Sequence, residues 1–323
     1  MKKIGLILIL LTCCYSASAQ FFKKFDEFWS KRYYRSDYDT CYIGRPEGTK
    51  WSIKLLTPVS WCSSNTYGKY EDESFSVKLR SDLSQKISLS GSYYGLSLSA
   101  GINPKELFLH DERDYEFMLN SYGKRFGYEL ELGRLTTFQG IFKVDDIELK
   151  VPKEFVTLTT GIFNIYYVFN SKHFSYPAAF THSFIQKRSA GSVLGGFGIS
   201  ISILSVGDSI NSVEIFRVEN LSLGLGLGYA YNFVLPRHWM IHVSTLPYIT
   251  FTGISSFVID NEEKDTDAKF PEMFVVGRVS VIRSFGRWFT GMMGQLNYSD
   301  IKTTYTITHT KRWYLTAFVG VRL

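Results

Sequence analysis

The chain has 323 residues, a formal net charge of +6 and 16% aromatic residues. The positive charge is mild and no basic block concentrates it, so nothing indicates a nucleic-acid partner. After the N-terminus, no apolar stretch reaches the roughly 20 residues that a membrane-spanning helix needs, which excludes a helical membrane protein.

Residues 1–19 have the form of a cleavable signal peptide. Two lysines precede the apolar run 4–11, and Ala17-Ser18-Ala19 is a small-x-small cleavage site. The apolar run is too short to span a bilayer, so we expect export and a mature chain that begins at Gln20. A lipoprotein signal at Cys13 is the alternative, although a threonine precedes it where such sites prefer a smaller residue.

Residues 20–49 do not alternate, and we assign them to an N-terminal periplasmic extension. Their aromatic residues repeat at helical spacing: Phe21, Phe22, Phe25, Phe28 and Trp29. This spacing suits a short amphipathic helix on the inner membrane surface or inside a barrel; a disordered leader is the alternative. Cys41 in this extension could pair with Cys62 in an oxidising periplasm, but the spacing alone does not establish the bond.

From residue 50 to residue 323 the dominant pattern is alternation with a period of two. Between Leu221 and Phe233, every odd position is leucine or aromatic, and every even position is small or polar. Such a pattern predicts strands with one apolar face. Twelve segments fit it: 50–59, 74–82, 85–102, 113–122, 124–136, 155–170, 190–206, 218–235, 238–256, 271–285, 287–299 and 304–323.

These segments predict an all-β fold, an antiparallel transmembrane β-barrel of about 12 strands. Many segments match the 9–11 residues that a tilted strand needs to cross a membrane. An even count places both termini in the periplasm. Short turns then fall on the periplasmic side at 123, 235–238 and 285–286, together with the long connection 171–189. The outer loops would be 60–73, 103–112, 137–153, 207–217 and 257–270. A soluble exported β-protein is the alternative fold.

Aromatic residues near the strand ends fit two interfacial girdles. Four lie beside the predicted periplasmic turns: Phe233, Trp239, Phe285 and Trp288. Tyr298 and Tyr305 lie near the opposite rim. Membrane barrels carry such girdles at both interfaces, although aromatic residues also favour strands in general.

Three stretches, Tyr166–Asn170 (YYVFN), Lys172–Phe180 (KHFSYPAAF) and Gln186–Ser192 (QKRSAGS), form an idiosyncratic sequence. Through them the chain resembles the family called domain of unknown function 4421, found in Gram-negative bacteria, from about Trp51 to the end. The resemblance implies an outer-membrane barrel and brings no catalytic residues. Outer-membrane barrels usually end in an aromatic residue that the barrel-assembly machinery reads, whereas this chain ends in Leu323.

The alternation places a set of charges inside the predicted barrel: Lys54, Lys78, Arg80, Glu129, Glu131, Arg278, Arg312 and Arg322. Enclosed charges must pair or be solvated. A salt-bridge network that fills a narrow barrel is one interpretation. A basic conduit for anionic solutes is the other.

Two His-x-Ser pairs, His173/Ser175 and His242/Ser244, have the spacing of outer-membrane lipid hydrolases. A period of two puts both side chains of a pair on one strand face. However, the strand phase places His242 and Ser244 inside the barrel, away from lipid. The hydrolase therefore stands as an alternative, and an enzyme is not the primary prediction.

The sequence shows no metal-binding spacing of cysteine and histidine, and no glycine-rich phosphate loop followed by a helix. We therefore expect no cofactor and no metal. The remaining prediction is an integral outer-membrane barrel in contact with membrane lipid, either a pore or transport barrel or a structural surface barrel. Its solute is not specified by the sequence.

Overall fold

The computed structural model describes residues 22–31, 37–46, 50–70, 73–102, 115–145, 147–153, 155–208, 213–259, 262–266, 269–304 and 306–323. The chain divides into two compact units, Met1–Asp37 and Tyr38–Leu323. Among the described residues, no helix is both long enough and apolar enough to cross a membrane. The signal peptide predicted for residues 1–19 lies outside the described residues.

In the first unit, residues 22–31 form a helix, α1. Phe22 and Phe28 are exposed, and Trp29 packs its ring against Phe25 and Phe28. Four of the five aromatic residues noted in the sequence, Phe22, Phe25, Phe28 and Trp29, thus lie on a helix, and Phe21 lies outside the described residues.

The second unit is built almost entirely from strands. In chain order they are β1 (Ile43–Gly44), β2 (Trp51–Tyr70), β3 (Glu73–Ser81), β4 (Ser84–Gln85), β5 (Ile87–Tyr93), β6 (Leu96–Ile102), β7 (Tyr115–Tyr122), β8 (Phe126–Leu135), β9 (Phe138–Val144), β10 (Ile147–Val151), β11 (Val156–Val168), β12 (Ile185–Gln186), β13 (Ala190–Asp208), β14 (Val213–Leu235), β15 (Trp239–Ile259), β16 (Glu262–Thr266), β17 (Glu272–Phe285), β18 (Trp288–Lys302) and β19 (Thr306–Arg322). One short helix, α2 (Tyr176–Phe180), lies between β11 and β12.

The strands close into a barrel of twelve antiparallel strands, as the sequence predicted. Around the ring the order is β2, β5, β6, β7, β8, β11, β13, β14, β15, β17, β18 and β19, and β19 pairs again with β2. The first and last ring strands therefore join each other, which leaves no open edge in the ring.

The strand count was right although two predicted segments were wrong. Segment 85–102 is two strands, because Tyr94 and Gly95 both adopt positive φ angles and turn the chain back. Segment 74–82 is not a separate ring strand. It pairs with residues 63–70 of β2, and the chain then continues through β4 into β5, which pair with the earlier part of β2. These three pieces therefore occupy one position in the ring.

Four stretches predicted as outer loops contain paired strands instead. Stretch 257–270 holds β16, which pairs with the end of β15, and stretch 207–217 holds the paired ends of β13 and β14. The other two are hairpins. Residues 60–73 belong mostly to the β2–β3 hairpin, and residues 137–153 contain the β9–β10 hairpin. β3 also pairs with β9, so both hairpins form one sheet that extends the wall. Their polar residues suggested loops because this extension lies beyond the apolar part of the wall. The predicted loop 103–112 lies outside the described residues.

The outer face of the ring is apolar and the inner face is small or polar. Leu225, Leu227 and Val319 are 61%, 68% and 45% exposed on the outside. Their neighbours Ala230, Ser244 and Ser280 are buried on the inside. A soluble protein rarely leaves such a continuous apolar surface uncovered, so this arrangement contradicts the soluble alternative and the packed core that it requires.

The inner glycines make room for one bulky side chain. A Cβ atom added to Gly226 would lie 2.8 Å from the Tyr248 ring, and one added to Gly196 would lie 2.9 Å from it. Tyr248 is itself buried. The Tyr248 ring of β15 therefore occupies the space left by Gly226 of β14 and Gly196 of β13.

Candidate functional site

The most unusual feature of the barrel is that segment Ser171–Ser189, which we call the plug, folds inward. The sequence predicted a long periplasmic connection here. The plug does begin and end at the end of the barrel that carries the short turns, which we call the turn end. However, every residue from Phe174 to His182 is buried. The Asn170 carbonyl accepts from the amides of His173 and Phe174 and so starts the inward turn.

Helix α2 forms the centre of the plug. The Ser175 hydroxyl accepts from the Ala178 amide at 3.3 Å, and Pro177 lies in the first turn, where a missing amide hydrogen costs nothing. The helix spans only Tyr176–Phe180, so the carbonyls at its end need partners outside the helix.

Three polar groups of the barrel wall supply those partners. Lys54 Nζ donates to the Phe180 carbonyl at 2.7 Å, and Ser52 Oγ donates to the Thr181 carbonyl at 2.9 Å. Arg322 Nε donates to the His182 carbonyl at 2.8 Å. Two cations on adjacent ring strands thus hold the end of α2 and the residues just after it against the wall.

His182 lies beside those two cations without adding to their charge. Burial, with Lys54 and Arg322 close by, holds the pKa of His182 well below its usual range. The neutral imidazole packs on the Phe289 ring, with 4.2 Å between ring centroids. The plug can therefore sit in a basic part of the lumen without repulsion from its histidine.

A second contact ties the plug to an ion pair in the middle of the lumen. Arg278 donates to the Tyr176 hydroxyl at 3.0 Å and to Glu129 at 2.6 Å. Its third contact is Gln295, at 3.1 Å. Beside this group lies a cavity of about 30 Å³ whose lining includes Asn164. That volume has room for only a few water molecules.

The third contact is a hydrogen-bonded chain from the plug through Asn232 to His242 and Ser244. Asn232 Nδ2 donates to the Ser175 carbonyl at 2.9 Å, and Asn232 Oδ1 lies 2.7 Å from His242 Nδ1. His242 Nε2 lies 2.9 Å from Ser244 Oγ. The Asn232 amide also contacts Gln186. The Gln186 side chain in turn bonds the backbone at the start of the plug, at Ser175 and His173, and near its end, at Arg188.

The order amide, imidazole, hydroxyl is the one that nucleophilic hydrolases use. Here, however, the His242 ring is covered by the rings of Phe174, Tyr176 and Phe180, with centroids 5.0–6.2 Å away. Ser244 also bonds the Tyr176 hydroxyl. The plug thus occupies the space that a substrate would need.

The other pair, His173 and Ser175, is not brought together for catalysis. His173 contacts Asn170 at 3.1 Å and Asp39 at 3.4 Å, whereas Ser175 caps helix α2. Both residues therefore have positions that shape the plug.

Residues Tyr38–Arg45 close over the outside of the plug. β1 pairs with β12 of the plug, and the Asp39 amide donates to the Lys172 carbonyl at 3.1 Å. The Tyr42 ring lies 4.5 Å from that of His173. This segment, assigned from sequence to the N-terminal extension, is thus part of the barrel unit.

The structure divides the predicted lumen charges into two groups. Lys54, Glu129, Glu131, Arg278, Arg312 and Arg322 face inward. Lys78 and Arg80 pair in register with Asn65 and Ser63 on the outer face, and both are exposed, so their inward assignment was wrong. The error follows from treating β3 as a separate strand, because its phase was then not tied to that of β2.

The inward acidic residues have basic or hydroxyl partners. Arg278 and Glu129 form an ion pair that is almost completely buried. Tyr314 donates to Glu131 at 2.5 Å, and Arg312 lies 3.7 Å from the same carboxylate. The enclosed acidic residues are therefore each paired locally rather than set in a ring of like charges.

The predicted girdle residues lie on the outer face. Phe233, Trp239, Phe285 and Trp288 are exposed at the turn end, and Tyr298 lies toward the other rim. Tyr305 lies outside the described residues. The exposed Trp51 and Phe126 occupy the same turn-end level and were not singled out from the sequence.

Cys41 and Cys62 are both free, so the suggested disulfide is absent. Cys62 is buried on the inner face of β2 in an apolar cluster with Leu79 and Phe138, whereas Cys41 is exposed beside the plug. The two positions lie toward opposite ends of the barrel. In the described part of the chain, no group of three or more potential ligands could hold a metal ion.

Sequence reasoning missed Asn232, Tyr176 and Ser52, which carry much of the plug contact. Asn232 did carry a signal, because it shares the inner face with His242 on the adjacent strand. Nothing in the local pattern of residues 171–189 revealed that the segment turns inward.

The chain is similar to one protein family in sequence and to several solved structures in fold. Residues 37–322 match the family described as "Domain of unknown function (DUF4421)". The fold is similar to the outer membrane protease OmpT of Escherichia coli, with 7% identity, 86% of this chain and 97% of that chain covered, and a TM-score of 0.44. It is also similar to the outer membrane protein OprG of Pseudomonas aeruginosa, with 10% identity, 85% and 98% coverage, and a TM-score of 0.31.

The translocator domain of the autotransporter NalP of Neisseria meningitidis is similar at 9% identity, with 96% of this chain and 97% of that chain covered, and a TM-score of 0.36. No curated protein matches the chain. Similarities this weak say nothing about activity, substrate or partner.

Proposed function

This chain belongs to the DUF4421 family, and we propose that it is an integral outer-membrane β-barrel whose lumen is kept closed by its own plug. The observation that carries the proposal is a barrel with an apolar exterior whose turn end is filled by a buried segment of the same chain. The predicted signal peptide at residues 1–19 supports export, and membrane lipid would be its immediate surroundings.

The height of the apolar face supports a membrane location. On β18 the outward residues run from Trp288 to Tyr298, and on β19 from Leu323 to Trp313. Ten residues in a strand tilted by about 40° rise about 25 Å, which is the height of the apolar band in outer-membrane barrels. Lys311 follows Trp313 on the same face, so charge returns where the band ends.

The plug favours a conduit that opens only when the plug moves. Its contacts are hydrogen bonds to a few wall residues, chiefly Lys54, Arg278 and Arg322, and not covalent bonds. A permanently open pore does not fit a lumen filled in this way. A structural surface barrel, with the β2–β3 and β9–β10 extension as its working part, is the second possibility.

Two measurements on the purified protein test these readings. A folded barrel should migrate differently on electrophoresis before and after boiling. In planar bilayers the intact protein should show no steady conductance. Replacing residues 174–184 by a glycine-serine linker should then produce stable channels.

The linker variant must keep the heat-dependent shift in mobility, which shows that it has folded. A folded, plug-free barrel without conductance would contradict the conduit and favour the structural surface barrel. Loss of the mobility shift in the intact protein would contradict the membrane barrel itself. N-terminal sequencing of the exported protein should begin at Gln20.

The lipid-hydrolase alternative rests on the spacing of Asn232, His242 and Ser244. It requires the plug to leave, so that lipid reaches a face that now points inward. We expect Ser244→Ala to leave phospholipid turnover at the background level of the intact protein, and to lower stability by about 2 kcal/mol for the lost hydrogen bonds to His242 and Tyr176. Turnover that is present in the linker variant and absent when Ser244→Ala is added would instead support the hydrolase.

A further inference from the structure

The outer face of the barrel carries a group of cations just beyond the apolar band. We call Lys78, Arg80, Lys143, Lys150 and Lys311 the basic rim patch. All five side chains are exposed. They lie on β19, β3, β9 and β10, which follow one another around the wall with β2 between β19 and β3.

The strand register places these cations close together. Lys311 and Arg80 are both opposite Ser63 of β2, so they lie two strand spacings, or about 10 Å, apart. Lys78 and Lys150 are both opposite Ile141 of β9, at about the same separation.

Lys143 completes the arrangement on the same face. It is opposite Ser76, two residues from Lys78 along β3. Lysine and arginine side chains are long enough for neighbouring members of such a group to contact one bound anion.

The patch has few acidic partners. Among the described residues, Asp300 pairs with His309 and Asp82 pairs with Lys153. Glu148 lies opposite Lys143 and is the one carboxylate in register with the patch. The other side of the barrel differs, because Arg217 and Glu219 on β14 form an ion pair with each other.

Its level on the wall indicates what the patch contacts. The Trp61 and Trp313 rings pair on the outer face with centroids 6.2 Å apart. Tryptophan concentrates at the membrane–water interface. Lys311 and Arg80 lie two residues farther along, or about 5 Å along a tilted strand, at the level of lipid headgroups.

We propose that the basic rim patch binds the phosphate groups of a phosphorylated lipid headgroup in the outer leaflet. Exposed cations at headgroup level attract anionic lipids, and arginine and lysine both bind phosphate well. The proposal rests on the outer-membrane barrel proposed above, and on an even strand count that places the termini on the periplasmic side.

The test measures binding of lipid A, a doubly phosphorylated and acylated disaccharide, to the full chain in detergent micelles. The triple variant Lys78→Gln/Arg80→Gln/Lys143→Gln should bind lipid A on the order of 100-fold more weakly. This factor follows because each of the three basic residues removed contributes roughly a fivefold increase in affinity. The matched control, Arg237→Gln/Arg283→Gln/Arg287→Gln, removes three exposed cations at the turn end and should bind like the unchanged protein.

Two further probes separate the lipid from a free anion. Dephosphorylated lipid A should bind the unchanged protein as weakly as lipid A binds the triple variant. Inorganic phosphate at an equal concentration should not displace lipid A. Displacement by inorganic phosphate, equal binding of the dephosphorylated lipid, or equal loss in the control variant would each overturn the proposal.

All samples are also run with and without boiling. If the unchanged protein shows no heat-dependent shift, the membrane barrel fails, and this proposal fails with it. If the shift is present and the triple variant binds lipid A within threefold of the unchanged protein, the barrel stands and only the rim site is wrong.

Discussion

Lys54 and Lys78 lie on neighbouring paired strands of one wall, yet their surroundings are opposite. Lys54 is buried and donates to a plug carbonyl, whereas Lys78 is exposed on the outer face of the β2–β3 extension. The inner cations all have fixed partners within the chain. The rim cations have almost none, which leaves them available to an external anion. In a barrel, the face and the level of a charged residue thus decide its role.

The largest effect is expected where an inner cation is removed. Arg278→Met would leave the Glu129 carboxylate buried without its ion-pair partner and would break the bond to Tyr176. Losing one member of a buried pair costs about 3–5 kcal/mol. Urea unfolding in lipid vesicles should show a loss of this size.

The double variant Glu129→Leu/Arg278→Met serves as the control, because it removes both charges. It should recover most of the lost stability. A single variant as stable as the unchanged protein would show that the inner cations do not depend on their partners, and the contrast with the rim would disappear.

A smaller effect is expected at the hydrogen-bonded link between wall and plug. Asn232→Ala removes the bonds to the Ser175 carbonyl, Gln186 and His242. Leaving these buried groups unsatisfied should cost about 2 kcal/mol. The plug should then be cut faster by trypsin, measured at the exposed Lys172 and Lys187.

Asn297→Ala is the matched control for this change. Asn297 is also buried on the inner face, but its bond is to Gln295 of the wall and not to the plug. It should leave the rate of plug cleavage unchanged. If trypsin cleaves the plug at the same rate in Asn232→Ala and Asn297→Ala, then Asn232 does not hold the plug in place.

The smallest effect on stability is expected at the rim. Lys78→Gln/Arg80→Gln removes two exposed charges that have no fixed carboxylate partner among the described residues. The change in unfolding free energy should stay within about 0.5 kcal/mol, measured as for Arg278→Met. A destabilisation above 2 kcal/mol would show that these side chains support the fold, which would undo the distinction from the inner wall.

The fold class could be predicted because alternation is a local property. Leu221–Phe233 shows it most clearly, and the structure places those leucines on the outer face. Where local signals were weak, the predictions failed. Residues 60–70 form a strand, but there neither face carries a continuous apolar row. Lys78 and Arg80 were placed on the wrong face because the apolar residues beside them face inward here, where Val77 and Leu79 pack in a cluster with Phe138.

The candidate site was predicted only in part. His242 and Ser244 were identified as an inner pair, and six of the eight proposed lumen charges face inward. Their partner Asn232, and the segment that covers them, were not identified. Neighbours in a barrel come from distant parts of the chain, and no spacing in the sequence relates Asn232 to Ser175 or Lys54 to Phe180.

By itself, the sequence determined a barrel with an apolar exterior and a polar interior, since each strand records its two faces in alternate residues. The tertiary structure decided which charges meet, that residues 171–189 fill the lumen, and that Cys41 and Cys62 stay apart. The physical reason is that the pattern of a strand determines the face on which each side chain lies but not the register between strands. Only closure of the sheet sets which side chains lie opposite one another and how much space remains between them.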